Sequence, residues 1–337
     1  MYSFSNDYSE IAHPKVLRAL NKYAYQQNIG YRLDIHCDNA RKKIRKLVGD
    51  NKSAVHFLPG GTMVNLVFLA TNLGTHEAVI AADTAHIYVH ETGAIEATGH
   101  KIITIPNYDG KIRACDVEKA YLEHTDEHMV KPKIVFISNS TEYGTIYYKQ
   151  DLQELRNVCD KYGLLLYLDG ARLANALVAD DNDLTLKEIH QLCDAFYLGG
   201  TKNGMLFGEA LVIKNKALDN HVRYVIKQRG GLTAKGFLLG IQYETLLKDD
   251  LYLKNAKHAN AMAQKIRVSL ENKGIKFYNN SSTNQIFPIL THQQIESLSG
   301  KFTFIPMDVV NENSRAVRFV CSWATDEKAV DELISCF

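Results

Sequence analysis

Seven short apolar runs punctuate the chain between residues 54 and 213, and the stretches between them carry apolar residues at helical spacing. The runs cover residues 54–58, 77–81, 101–105, 133–137, 164–168, 195–198 and 209–213. Brief apolar runs bounded by turn residues read as strands covered on both faces, the pattern of a parallel sheet. Between them, residues 151–162 place Leu152, Leu155, Val158 and Cys159 at helical spacing. Alternation of this kind, running from about residue 35 to 215, predicts a doubly wound α/β domain with a mostly parallel sheet of seven strands.

The pattern changes after residue 215. Residues 216 to about 265 read as long helices, including 240–247 and a polar stretch from Lys254. Beyond them, 275–278, 285–290 and 316–321 predict strands set among helices, a small α+β domain. The expected division is a large domain over residues 1–250 and a small one over 251–337. The first 25 or so residues fit either lobe.

Composition narrows the function. Lys and Arg number 39 against 38 Asp and Glu, with no basic block, so neither nucleic acid nor a membrane surface is an expected partner. No run of 18 apolar residues occurs and the amino terminus does not read as a signal peptide, so the expected location is the cytoplasm. The six cysteines are scattered without a CxxC pair. They read as thiols of a reducing compartment, mostly buried, with no disulfide framework or metal site expected.

Candidate chemistry lies where two strands end. The run 164–168 stops at Asp169, and the run 195–198 stops at Gly199-Gly200-Thr201-Lys202-Asn203-Gly204. In open α/β sheets, ligands bind outside the carboxyl ends of the strands. A carboxylate and an amine delivered to that edge suit pyridoxal phosphate: the lysine bonds to its aldehyde, and the aspartate keeps the pyridine nitrogen protonated. Leu58-Pro59-Gly60-Gly61-Thr62 follows the first strand and opens a helix, so free N–H groups and the Thr62 hydroxyl would bind a phosphate. Neither the nucleotide phosphate loop nor the dinucleotide fingerprint is present. Singly, Lys202 reads equally as a solvated loop lysine, Asp169 as a turn former and Thr62 as a helix cap. Their joint order along one sheet edge favours the cofactor.

Together these residues resemble the low-specificity threonine aldolases of the β-eliminating lyase group. The specific pieces are Pro59-Gly60-Gly61-Thr62, Ala85-His86-Ile87 with Glu91 and Gly93, Leu168-Asp169-Gly170-Ala171-Arg172-Leu173, and Gly200-Thr201-Lys202-Asn203-Gly204. The resemblance runs from Ser5-Asn6-Asp7 to Arg318. It implies the aspartate-aminotransferase fold (fold type I) and pyridoxal 5′-phosphate as cofactor. It implies that Lys202 bonds to the cofactor aldehyde, Asp169 faces the pyridine nitrogen, Gly61 and Thr62 take the phosphate, and His86 stacks on the ring. Arg172 would touch cofactor and substrate, while Arg318 and Ser5 would hold the substrate carboxylate. Active sites in this fold are shared between subunits, which implies a homodimer or homotetramer. Tyr31 and Lys235 then reach the neighbouring site, Lys235 toward its phosphate.

One departure stands out. Many threonine aldolases carry Thr-His-Asn-Gly after the fourth strand, whereas this chain has Ser140-Thr141-Glu142-Tyr143-Gly144. That version resembles a phenylserine-aldolase branch. Glu142 would accept the β-hydroxyl proton or order a water that does, with His86 the other candidate for that proton; the bland alternative is a glutamate bound to backbone. The implied reaction cleaves a small amino-acid substrate, an L-β-hydroxy-α-amino acid of threonine, allo-threonine or phenylserine type, to glycine and an aldehyde. Competing readings are β-elimination or transamination on the same cofactor, a non-catalytic protein that kept the fold, and a nucleotide-binding α/β protein.

Overall fold

In the computed structural model, which describes all 337 residues, every one of the seven runs forms a strand. They are β1 (Ala54–Leu58), β2 (Glu77–Ala82), β3 (Ile102–Ile105), β4 (Lys131–Ser138), β5 (Leu165–Asp169), β6 (Ala195–Gly199) and β7 (Glu209–Ile213). The sheet order is β1-β7-β6-β5-β4-β2-β3. Only β7 runs antiparallel to its neighbours. Every residue of β6 and β7 is buried, as strands covered on both faces require.

Because β7 is reversed, its first residue, Glu209, lies at the edge where the parallel strands end, opposite Gly199 and Leu58. The helix Gly61–Asn72 starts at the same edge directly after β1. Its cap is Gly60, which has no side chain to satisfy the first turn. The chain at the β5 exit is packed so tightly that a Cβ on Gly170 would lie 1.7 Å from the Tyr197 carbonyl oxygen. Only glycine fits there.

Apolar burial falls into two cores. The larger spans Cys37 to Ala256 and encloses the sheet. The smaller gathers Met262, Ile266, Phe302, Phe319 and Val330, and it also takes Phe4 from the amino terminus. Around it, Ser314–Val320 pairs with Ile289–Thr291, Ile305–Asn311 and Gln285–Ile286, all antiparallel. Tyr2–Ser3 pairs in parallel with Phe302–Thr303. The amino terminus thus packs with the smaller core.

The carboxyl-terminal third departs from expectation in two places. Residues 275–278 form a single bridge, Phe277 to Pro288, and then turn away to bring Ser281 against the Gly144 carbonyl at 3.0 Å. The run 285–290 is split at Pro288, which has no N–H to offer a ladder. Four of the six cysteines are buried, Cys336 is half-buried and Cys115 is exposed. No helix is long and apolar enough to cross a membrane.

Candidate active site

A cleft of about 270 Å³ opens at the carboxyl edge of the parallel strands. Its lining brings together seven residues expected from sequence: Gly61, Thr62, His86, Glu142, Asp169, Arg172 and Lys202. Tyr8, Tyr197 and Glu209 join them.

Asp169 ends β5 in a fixed orientation. Its carboxylate accepts from the Tyr197 hydroxyl at 2.6 Å, the Ala171 N–H at 3.0 Å and Asn65 Nδ2 at 3.0 Å. Asn65 lies one helical turn after Gly61 and also donates to Glu91 Oε1 at 2.8 Å, while its own oxygen accepts from Tyr167. His86 Nδ1 lies 2.8 Å from the same Glu91 oxygen. One buried amide therefore links the aspartate to the histidine.

At the opposite end, the N–H groups of Gly61, Thr62 and Met63 have no partner within the helix or from a cap. Such a helix start is an anion site. A Cβ at Gly61 would meet the Tyr197 hydroxyl at 2.9 Å, so the glycine keeps this end of the cleft open.

Lys202 is held among charges. Burial and the Arg172 guanidinium push its amine below the usual lysine range, against the pull of Asp7, Asp169 and Glu209. Arg172 is itself gripped by Asp7, through Nε at 2.7 Å and Nη2 at 3.1 Å. Burial works against ionisation of Asp7, yet Arg172 and then Lys202 hold it below the ordinary carboxylate range. Two of the five Arg172 donors are thus already engaged. Glu142 Oε1 accepts from Ser138 Oγ at 2.8 Å and the His86 N–H at 3.1 Å, and burial raises its pKa.

Four expected residues lie outside the cleft lining. Arg318, on Ser314–Val320, donates to the Ser5 carbonyl at 3.5 Å, and its buried Nε has no partner. It lies within electrostatic reach of Arg172 and Asp7. Ser5 meets Arg318 through its backbone carbonyl, not its hydroxyl. Tyr31 and Lys235 lie close to each other on an exposed patch, where the Tyr31 N–H donates to the Ala234 carbonyl at 3.0 Å. Sequence reasoning missed Asp7, Asn65, Tyr197 and Glu209 as site residues.

These features suit pyridoxal phosphate. The uncapped helix start fits a phosphate, and a triply hydrogen-bonded carboxylate fits a cationic ring nitrogen. An amine whose protonated form is disfavoured fits bonding to an aldehyde.

Comparison with known proteins agrees with that chemistry. The family model described as beta-eliminating lyase matches residues 14–293. A low specificity L-threonine aldolase of a Pseudomonas species is 33% identical over 340 residues, covering 98% of this chain and 94% of its own. A solved threonine aldolase of Leishmania major is 47% identical, matches 99% of this chain and 98% of its own, and superposes with a TM-score of 0.98. The fold extends to a Thermus thermophilus aspartate aminotransferase double mutant, 11% identical with a TM-score of 0.73 over all of this chain and 91% of its own.

Proposed function

The chain belongs to the β-eliminating lyase family, and from that premise we propose that this pyridoxal phosphate-dependent lyase cleaves L-β-hydroxy-α-amino acids to glycine and an aldehyde. The observation that carries the reading is one cleft lined by an anion-binding helix start, a fixed aspartate and a buried lysine.

When bound, the cofactor supplies a cationic ring that takes up the electron pair of the bond broken at Cα. Lys202 holds its aldehyde carbon, Asp169 its ring nitrogen, and Gly61 and Thr62 its phosphate. His86, anchored by Glu91, covers the ring face. Arg318 grips the substrate carboxylate with two parallel N–H bonds, beside the free donors of Arg172 and the Ser5 segment. Fixing the carboxylate selects which bond at Cα breaks.

Glu142 takes the proton of the β-hydroxyl, directly or through a water it orders. Its Oε1 is occupied by Ser138 and the His86 N–H, which leaves Oε2 for the substrate. Burial moves its pKa toward the working range, where a general base is most effective. His86 is the second candidate for this proton.

Active sites are shared in a homodimer or homotetramer. Support comes from the exposed apolar residues Tyr25, Ile29 and Leu33 beside Tyr31, an unusual concentration for a free surface. In the assembly, Tyr31 and Lys235 serve the neighbouring site. A fully active monomer in sedimentation would overturn this part. The free, largely buried cysteines support a cytoplasmic location, which cell fractionation checks.

A substrate panel on protein reconstituted with pyridoxal phosphate tests the reaction. Threonine, allo-threonine or phenylserine should yield glycine and the matching aldehyde. Formation of 2-oxobutanoate or another keto acid instead, from cleavage of Cα–H, would replace the aldolase reading with elimination or transamination.

A further inference from the structure

Glu142 stands in a turn that the larger core does not hold alone. The Gly144 N–H donates to the Thr141 carbonyl at 2.9 Å and closes a β-turn over residues 141–144, with Glu142 as its second residue. A turn buried between two cores must find partners for its carbonyls. Those of Tyr143 and Gly144 are met by the irregular stretch before Gln285–Ile286. Asn279 Nδ2 donates to the Tyr143 carbonyl at 2.8 Å, and the buried Thr283 hydroxyl donates to the Gly144 carbonyl at 2.8 Å. Ser281 divides one hydroxyl proton between the Gly144 and Gln285 carbonyls, so Thr283 is the committed donor. Gly144 has φ +72°, and a Cβ on it would lie 2.9 Å from the Gln285 carbonyl oxygen. Only glycine lets the two segments meet this closely.

The donor stretch is itself held from behind. Gln264 and Arg267, on the helix Leu251–Asn272, donate to the carbonyls of Thr283 and Ser281 at 3.0 Å each. The same helix buries Met262, Ile266 and Leu270 in the smaller core. A line of hydrogen bonds thus runs from that core to the turn that carries Glu142. Arg318 belongs to the same core, on a strand whose Val317 and Phe319 fill it.

We propose that Asn279 and Thr283 are positioning residues for Glu142, gripping its turn so that the smaller core fixes where the proton taker stands. The substrate carboxylate and its β-hydroxyl are a set distance apart within one small molecule. Mounting the carboxylate grip, Arg318, and the hold on the base on one body keeps the two in register. The inference rests on the reading of Glu142 as the acceptor of the β-hydroxyl proton. The rival is that Asn279 and Thr283 merely satisfy buried carbonyls.

Kinetics and a carboxyl titration separate the two. Asn279→Ala with Thr283→Val should lower retro-aldol kcat by about 10- to 100-fold, the effect of a small misplacement. KM should stay within about threefold, because Arg318 and the cofactor residues are untouched. Thr283→Ser retains the hydroxyl and should hold kcat within about threefold of the parent. In a Glu142→Gln background the Asn279 and Thr283 changes should alter kcat by less than about twofold, since the group they place is gone. Equal losses in both backgrounds overturn the proposal. The second readout is the Glu142 carboxyl of the cofactor-loaded protein, followed by infrared difference against Glu142→Gln. Burial raises this carboxyl in the parent, so a loosened turn that admits water should lower its midpoint by about one pH unit. Asp169, Arg172, His86, Tyr143 and Tyr147 face Glu142, and the substitutions leave all five in place. An unmoved midpoint also overturns the proposal. Should Glu142→Gln keep full turnover, the base reading fails by itself and the titration still decides this one. If the double variant does not fold, Thr283→Val alone carries the same measurements.

Discussion

Glu142 takes its character from two groups and its burial: the Ser138 hydroxyl and the His86 N–H hold one oxygen, and burial disfavours its charge. A base works only when unprotonated, so turnover should fall as pH drops through a point above the ordinary glutamate range. Glu142→Gln should lower retro-aldol kcat by about 10²- to 10⁴-fold and remove that acid limb. Undiminished turnover would exclude the base role and leave Glu142 as a backbone clamp. Legibility at this scale follows sequence distance. Asp169 and Lys202 can be read because each closes an apolar run beside glycine, a signal contained within a few residues. Asn65 was within reach, since it sits one helical turn behind the anion-binding start. Asp7 was not, because its partner Arg172 is 165 residues away and no local pattern announces the pair.

The helix Gly61–Asn72 turns a strand exit into an anion site, and its two leading glycines are not equivalent. Gly60 has extended backbone with nothing within 4 Å of an added Cβ, whereas a Cβ on Gly61 meets the Tyr197 hydroxyl at 2.9 Å. Gly61→Ala should push that hydroxyl off Asp169 and weaken pyridoxal phosphate binding by about tenfold, the loss of one ordinary hydrogen bond. Gly60→Ala should leave affinity within about threefold, losing only the modest cap preference for glycine. Cofactor titration of both variants checks the contrast, and equal losses would contradict it. Elements were most legible where burial is two-sided: Ala195–Gly199 and Glu209–Ile213 are buried at every position, whereas Ala54–Leu58 and Ile102–Ile105 carry polar His56 and exposed Thr104 within their apolar runs. Ile305–Asn311 carries Ile305, Met307, Val309 and Val310, but Pro306 and Asp308 break the run and demote it as a strand signal, and most of it is exposed. Residues 275–278 were apolar enough to suggest a strand, but their apolar side chains Ile275 and Phe277 serve the smaller core with only one bridge.

At the scale of the whole molecule, the first residues act as a strap between the two cores. Tyr2–Ser3 extends the smaller unit, Phe4 enters its core, Tyr8 lines the cleft, and the His13 N–H donates to Gly204 beside the lysine loop. Asp7 is the electrostatic knot of this strap, joining Arg172 from the larger core to Asn284, which also donates to the Cys321 carbonyl. Removing one partner of a buried pair leaves the other charge uncompensated, so Asp7→Ala should cost about 3–5 kcal/mol of stability at pH 7. Asp7→Ala with Arg172→Leu should recover part of that loss, because no orphan charge remains. The sign with pH follows from the lowered carboxyl. A folded-state pKa below that of the unfolded chain contributes stability that is complete above about pH 4 and disappears as pH falls through the folded value. Wild-type protein should therefore lose stability below about pH 4 more steeply than Asp7→Ala does, and the two curves should converge in acid. Urea unfolding from pH 3 to 7 measures both effects. Parallel curves, or a neutral-pH difference under about 1 kcal/mol, would mean that the ion pair merely accompanies the contact between the cores and that apolar packing around Phe4 holds it instead.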